Sequence, residues 1–165
     1  MSDATPVTLR RDLRYACPDG AVEVMARLGV DANSDYFTDQ SWEHTHPYTE
    51  DRHAHLPAYL VLLADGELSD EGKRALGSFV FHSLEDAYRF IAPTDETWQF
   101  AQGTIRLTLL TLWRDRSIHG WEFLYWACWD RQIEELHEDP DEWFMLTRVL
   151  RLEQQFDLST LITEP

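Results

Sequence analysis

Cysteine is nearly absent from this chain of 165 residues, which contains only Cys17 and Cys128. Two cysteines cannot build the disulfide framework that supports many small secreted domains, so the sequence favours a reducing compartment. Long apolar runs are also missing, because no stretch approaches the ~20 residues that a membrane-spanning helix requires. The first residues lack the apolar segment of a secretory signal peptide. We therefore predict a cytoplasmic protein that does not enter a membrane.

Basic residues are scarce as well. The chain contains fourteen Lys and Arg and thirty Asp and Glu, which gives a formal net charge of −16. Lys73 is the single lysine. Phosphate backbones and anionic membranes attract Lys and Arg, so the composition disfavours direct nucleic-acid binding through a broad basic face. A basic protein partner is favoured instead, because long-range attraction speeds encounter. The alternative is that the charge only maintains solubility.

The spacing of apolar residues predicts a mainly α fold. From Trp98 to Leu112 the apolar residues follow helical spacing, with Ala101, Ile105 and Leu109 on the same face. The chain has no repeat and no linker, so we expect one compact helical bundle over residues 1–165. Residues 8–16 and 104–112 also alternate as strands do, which leaves an α+β fold with a small sheet as the alternative.

Capping residues predict where several helices begin and end. Ser69 is expected to cap one helix and Ser83 a separate one that Pro93 closes. Residues 121–138 are expected to form one continuous helix. Asp139 and Glu142 form a predicted capping box around Pro140, which would start the last helix.

Residues 30–56 show no apolar periodicity and are predicted to form a long loop rich in histidine. Two His-x-His pairs could supply a tetrahedral zinc site, and nearby carboxylates could act as further ligands or orient the rings. No HExxH or cysteine-paired signature accompanies them. We therefore expect a polar surface loop without a cofactor, and keep a metal site as an alternative at His44, His46, His53 and His55.

The stretch WRDRSIHGW, residues 113–121, contains Arg114, Asp115, His119 and Gly120. It resembles the R-[N/D/H]-x-x-x-H motif of HEPN domains, which are helical bundles of similar size that often act as metal-independent ribonucleases. The resemblance implies that His119 acts as a general acid or base and that Arg114 stabilises the charged transition state. The resemblance covers about seven residues and no family matches the whole chain. A turn between two helices, broken at Gly120, is the structural alternative.

Carboxylates are also clustered. Asp130, Glu134 and Glu138 would lie on one stripe of the predicted helix 121–138, where like charges cost a few tenths of a kcal/mol each. Further acidic residues follow this helix or lie in the histidine-rich loop, namely Asp139, Asp141, Glu142, Glu43, Glu50 and Asp51. A basic partner covering this face would offset the repulsion. Our first hypothesis is therefore an acidic binding module without enzymatic activity, such as a bacterial or phage immunity protein that neutralises a toxin.

Overall fold

The computed structural model describes residues 5–30, 55–91, 94–138, 144–153 and 156–164. Over these ranges the chain forms seven helices and one sheet of two short strands, so the predicted mainly α fold is confirmed. Among the described helices, none combines the length and the apolar content needed to cross a bilayer.

The helices surround a central helix, α3. Their bounds are α1 Pro18–Arg27, α2 Leu56–Asp65, α3 Asp70–Tyr88, α4 Glu96–Trp113, α5 Arg116–Trp126, α6 Ile133–Glu138 and α7 Met145–Leu152. Helix α3 contacts α1, α2, α4, α5 and α7, and every residue from Arg74 to Glu85 is buried. Because this part of α3 is buried on all sides, its polar side chains depend on hydrogen-bond partners inside the protein.

The predicted break at Ser83 is wrong, because α3 continues through that residue. Ser83 is fully buried, between apolar neighbours such as Val80, Phe81 and Leu84. Packing of these side chains on several helices outweighs the preference of serine for helix ends.

The two segments of ambiguous pattern have different structures. Residues 104–112 belong to α4, with Ile105, Thr108, Leu109 and Leu112 buried at helical spacing. Residues 7–9 instead form strand β1, Val7–Leu9, which pairs in parallel with β2, Leu161–Thr163. This small sheet crosses α5 at Gly120, where an added Cβ would overlap the side chain of Leu9. Gly120 therefore permits close packing and does not break the helix.

The predicted continuous helix 121–138 is also wrong. Helix α5 ends at Trp126, and Cys128 adopts a left-handed conformation with φ of 47°. The N–H of Cys128 donates to the carbonyl of Tyr125 at 3.0 Å, and that of Trp129 donates to Leu124 at 3.1 Å. These two bonds form a Schellman motif, which satisfies carbonyls at the helix end and turns the chain toward α6.

Candidate functional site

An open groove of about 510 Å³ lies between the turn after α5, helices α6 and α7, and the segment that precedes β2. Its volume is in the usual range for ligand sites. Apolar side chains dominate the lining, with one arginine and one carboxylate among them. The lining residues are Trp129, Ile133, Leu150, Arg151, Phe156, Asp157, Leu158 and Ser159.

Helix α7 forms one wall of the groove and is held in place by α3. The carboxylate of Glu85 accepts hydrogen bonds from the backbone N–H of Met145 at 2.8 Å and of Leu146 at 2.9 Å. Burial raises the pKa of Glu85, while these two N–H groups act in the opposite direction. The hydroxyl of Thr147 also donates to the carbonyl of Trp126 at 2.5 Å. The wall therefore has fixed contacts with both α3 and α5.

Arg151 orients Trp129 at the mouth of the groove. Its guanidinium donates to the carbonyls of Ala127 at 3.2 Å, Cys128 at 3.0 Å and Arg131 at 3.2 Å. The same group lies 5.1 Å from the centroid of the Trp129 ring, close enough for a cation–π contact. Trp129 nevertheless remains 44% exposed. The indole is thus held by the protein and is still available to a partner.

Two predicted partner-binding carboxylates are next in sequence to residues that line this groove. Asp130 and Glu134 are exposed and directly follow the lining residues Trp129 and Ile133. They do not share one helical stripe, because Asp130 lies in the turn and Glu134 in α6. Asp157, which the sequence did not single out, adds an exposed carboxylate to the lining. These three residues, Asp130, Glu134 and Asp157, are called the acidic rim below.

Of the other predicted partner-binding residues, one lies within the described ranges and six do not. Glu138 is the last residue of α6. The remaining six lie outside the described residues, namely Asp139, Asp141, Glu142, Glu43, Glu50 and Asp51.

Most of the predicted histidine loop also lies outside the described residues, including His44, His46 and His53. His55 is described: it immediately precedes α2, and its ring centroid is 6.3 Å from that of Tyr59. Within the described ranges, no three His, Cys, Asp or Glu side chains come close enough together to hold a metal ion.

Arg114 and His119 occupy different environments. Arg114 is exposed at the end of α4, whereas His119 lies on α5 and is 1% exposed. His119 lines a small pocket of about 110 Å³ together with Lys73, Thr111 and Asp115. The Lys73 ammonium and the Asp115 carboxylate lie 3.8 Å apart at this pocket. Asp115 and His119 thus share a pocket, and Arg114 is not part of its lining.

The ring of His119 packs against α3. A Cβ added at Gly77 would overlap its Nδ1 atom, and that buried nitrogen has no hydrogen-bond partner among the described residues. Burial, reinforced by the positive charge of Arg74, lowers the pKa of His119 to about 3. The imidazole is therefore neutral at physiological pH.

A buried ion pair joins α3 and α5 beside His119. Arg74 and Glu122 are 2.6 Å apart, and Glu122 also accepts a hydrogen bond from the indole N–H of Trp126 at 2.8 Å. Arg74 further donates to the carbonyls of Leu13 at 2.8 Å and Arg14 at 3.1 Å. Burial opposes the charged form of Glu122, but Arg74, His82 and the indole N–H of Trp126 together outweigh it and lower the pKa of that carboxyl. The pair is closed to solvent and connects structural elements.

Comparison of the chain with models of protein families, with curated proteins and with solved structures finds no significant match.

Proposed function

We propose that this protein is an acidic module that binds a basic protein, and that the groove with its acidic rim is the binding site. An immunity protein or inhibitor that neutralises a toxin is the form of this function that we favour. The observation that carries the proposal is the combination of a fixed, half-exposed Trp129 with the exposed carboxylate of Asp157 in the same groove.

The groove suits a lysine or arginine side chain. Such a side chain has an apolar stem and a charged head, so it can bury the stem while the head contacts carboxylates. Trp129 and Ile133 offer the apolar surface, and the acidic rim offers the acceptors. Arg151 already occupies one face of Trp129, so the incoming cation contacts the carboxylates and the apolar lining rather than that face.

The net charge supports the same partner. A formal charge of −16 attracts a basic protein over a distance of about 8 Å at 0.15 M salt and more at lower salt. This attraction acts mainly on the association rate, whereas the buried contact with Trp129 acts on the dissociation rate.

The test is capture of binding partners by the purified chain, followed by rate measurements with the captured protein. One variant carries Asp130→Asn, Glu134→Gln and Asp157→Asn. Its control carries Asp19→Asn, Asp65→Asn and Glu164→Gln, which remove the same charge from exposed positions outside the groove. We expect the rim variant to associate more slowly and to bind more weakly than the control.

Salt dependence and Trp129→Ala complete the experiment. Raising the salt concentration should slow association of the parent chain more than that of the rim variant, and Trp129→Ala should speed dissociation. The proposal fails if the captured partner is itself acidic, or if the rim variant and its control bind equally well.

A HEPN-type ribonuclease is the second candidate function, because His119 lines a pocket that also contains Lys73 and Asp115. In this proposal a neutral His119 accepts the proton of the hydroxyl that attacks phosphorus, and the bond to the leaving oxygen breaks as that oxygen takes a proton from water. Lys73 contributes positive charge near the phosphate. Arg114 would have to act from the exposed end of α4, outside the lining of that pocket.

A further inference from the structure

Helix α4 has an outer face that is apolar although it is open to solvent. Phe100 is 84% exposed and Leu107 is 69% exposed, and Leu110 is also exposed. Together with Gly103 these residues have the spacing 3, 4, 3, which places them along one side of a helix. The four residues Phe100, Gly103, Leu107 and Leu110 are called the α4 face below. Exposed apolar residues aligned in this way are typical of an interaction surface.

Gly103 is not required for close packing against any described residue. It lies in the middle of α4, where glycine weakens a helix relative to alanine. A Cβ built at this position meets no atom within 4 Å among the described residues. The structure would therefore accept alanine there, and the glycine leaves a gap in the α4 face. Such a gap allows a side chain of another helix to approach the backbone closely.

The α4 face differs from the rest of the chain in charge. Helix α4 contains only two charged residues, Glu96 and Arg106, although the chain has forty-four. A basic partner would gain little electrostatic attraction here. The charges of Glu96 and Arg106 cancel, so a second copy of this chain would meet little repulsion from α4 itself despite the overall charge of −16.

We propose that two copies of the chain associate through α4, with the two helices antiparallel and a two-fold axis near residue 105. In this register Leu107 of each copy lies opposite Gly103 of the other, and Phe100 lies opposite Leu110. Glu96 at the start of one helix lies opposite Arg114 at the end of the other. The face is thus complementary to itself in shape and charge, as a two-fold interface requires.

The dimer is weak and depends on concentration. Two helices of ~27 Å in contact bury about 1,000 Å² in total, which is at the low end for a specific interface. Because the copies repel each other at long range, added salt strengthens their association. Salt has the opposite effect on the binding of a basic partner at the groove. The two interactions can therefore be tested independently.

Sedimentation velocity on the full chain over a range of sub-millimolar concentrations measures this dimer. Leu107→Glu places two carboxylates near the axis and should weaken the dimer at least about tenfold. Phe90→Glu is the matched control, because Phe90 is 88% exposed, lies outside α4 and gives the same change in charge. Gly103→Ala should raise the thermal stability of the monomer and weaken the dimer, since the methyl group fills the gap that receives Leu107.

A charge exchange tests the register. Glu96→Arg and Arg114→Glu should each weaken the dimer, and the double variant should restore it. A chain that stays monomeric throughout the concentration range overturns the proposal. So does a dimer that Leu107→Glu leaves intact, or one that Gly103→Ala strengthens.

Discussion

Acidification from pH 7 to pH 5 should destabilise the fold through His119. Its pKa is about 3 in the folded chain, against 6.5 for an unperturbed histidine. Below pH 6.5 the unfolded chain takes up a proton on this ring while the folded chain does not, so acid favours unfolding. The neutral His119 ring therefore contributes its full share of the unfolding free energy above pH 6.5, and this share decreases as the pH falls toward 3.

The loss follows from the two pKa values. Each pH unit within this window costs about 1.4 kcal/mol, because one pKa unit corresponds to that free energy. Between pH 7 and pH 5 the loss is about 2 kcal/mol, since little protonation occurs above pH 6.5. That amount is a large fraction of the 5–15 kcal/mol by which typical domains are stable.

Urea denaturation at several pH values measures this effect, with His119→Leu as the comparison. Leucine has a similar size and cannot titrate, and the buried Nδ1 has no hydrogen bond to lose among the described residues. The carboxyl groups titrate in both proteins, so the difference between their stability–pH curves isolates His119. The parent chain should lose about 2 kcal/mol more than His119→Leu over this range. Parallel curves would refute the assignment of a buried, neutral histidine.

Two further predictions concern Arg74 and the proposed ribonuclease site. Arg74→Met leaves Glu122 buried without its partner and should lower the free energy of unfolding by roughly 3–5 kcal/mol, the usual range for breaking such a pair. Adding Glu122→Gln should recover part of that loss, and equal stability of the single and double variants in urea would contradict this. We expect that the purified chain does not cleave RNA in the presence of EDTA. If it does, and if the folded variants Arg114→Ala and His119→Ala do not, the result would instead favour the HEPN-type activity.

Local signals in the sequence located several helix ends correctly. Gly29 and Gly66 have positive φ angles of 75° and 73° just after α1 and α2, a conformation that glycine favours at helix ends. Ser69 accepts a hydrogen bond from the N–H of Gly72 at 3.0 Å, so it is the N-cap that the sequence predicts. Asp95 caps α4 in the same way, accepting one from the N–H of Thr97 at 2.9 Å. These ends are determined by neighbouring residues, which the sequence displays directly.

Features that depend on distant residues were missed. Cysteine rarely adopts a left-handed conformation, so the turn at Cys128 had no signal in the sequence. Helix α7 begins at Met145 and not at Pro140 as predicted, and the N–H groups of its first two residues donate to Glu85, about sixty positions earlier in the chain. The groove follows from both features, so its lining residues Trp129, Arg151 and Asp157 had no signal in the sequence. The apparent alternation at residues 104–112 arises because the exposed Leu107 lies between the buried Ile105 and Leu109 of α4.

The parallel pairing of β1 and β2 determines how the fold responds to mechanical force. The two strands run in the same direction and come from opposite ends of the described chain. Pulling residue 5 away from residue 164 therefore slides the strands along each other, which loads their hydrogen bonds together rather than one at a time. The carbonyls of Arg10 and Leu13, just beyond β1, accept hydrogen bonds from Trp121 at 2.9 Å and Arg74 at 2.8 Å. The helices lie between the two strands in sequence, so they stay out of the line of tension until this small sheet shears apart.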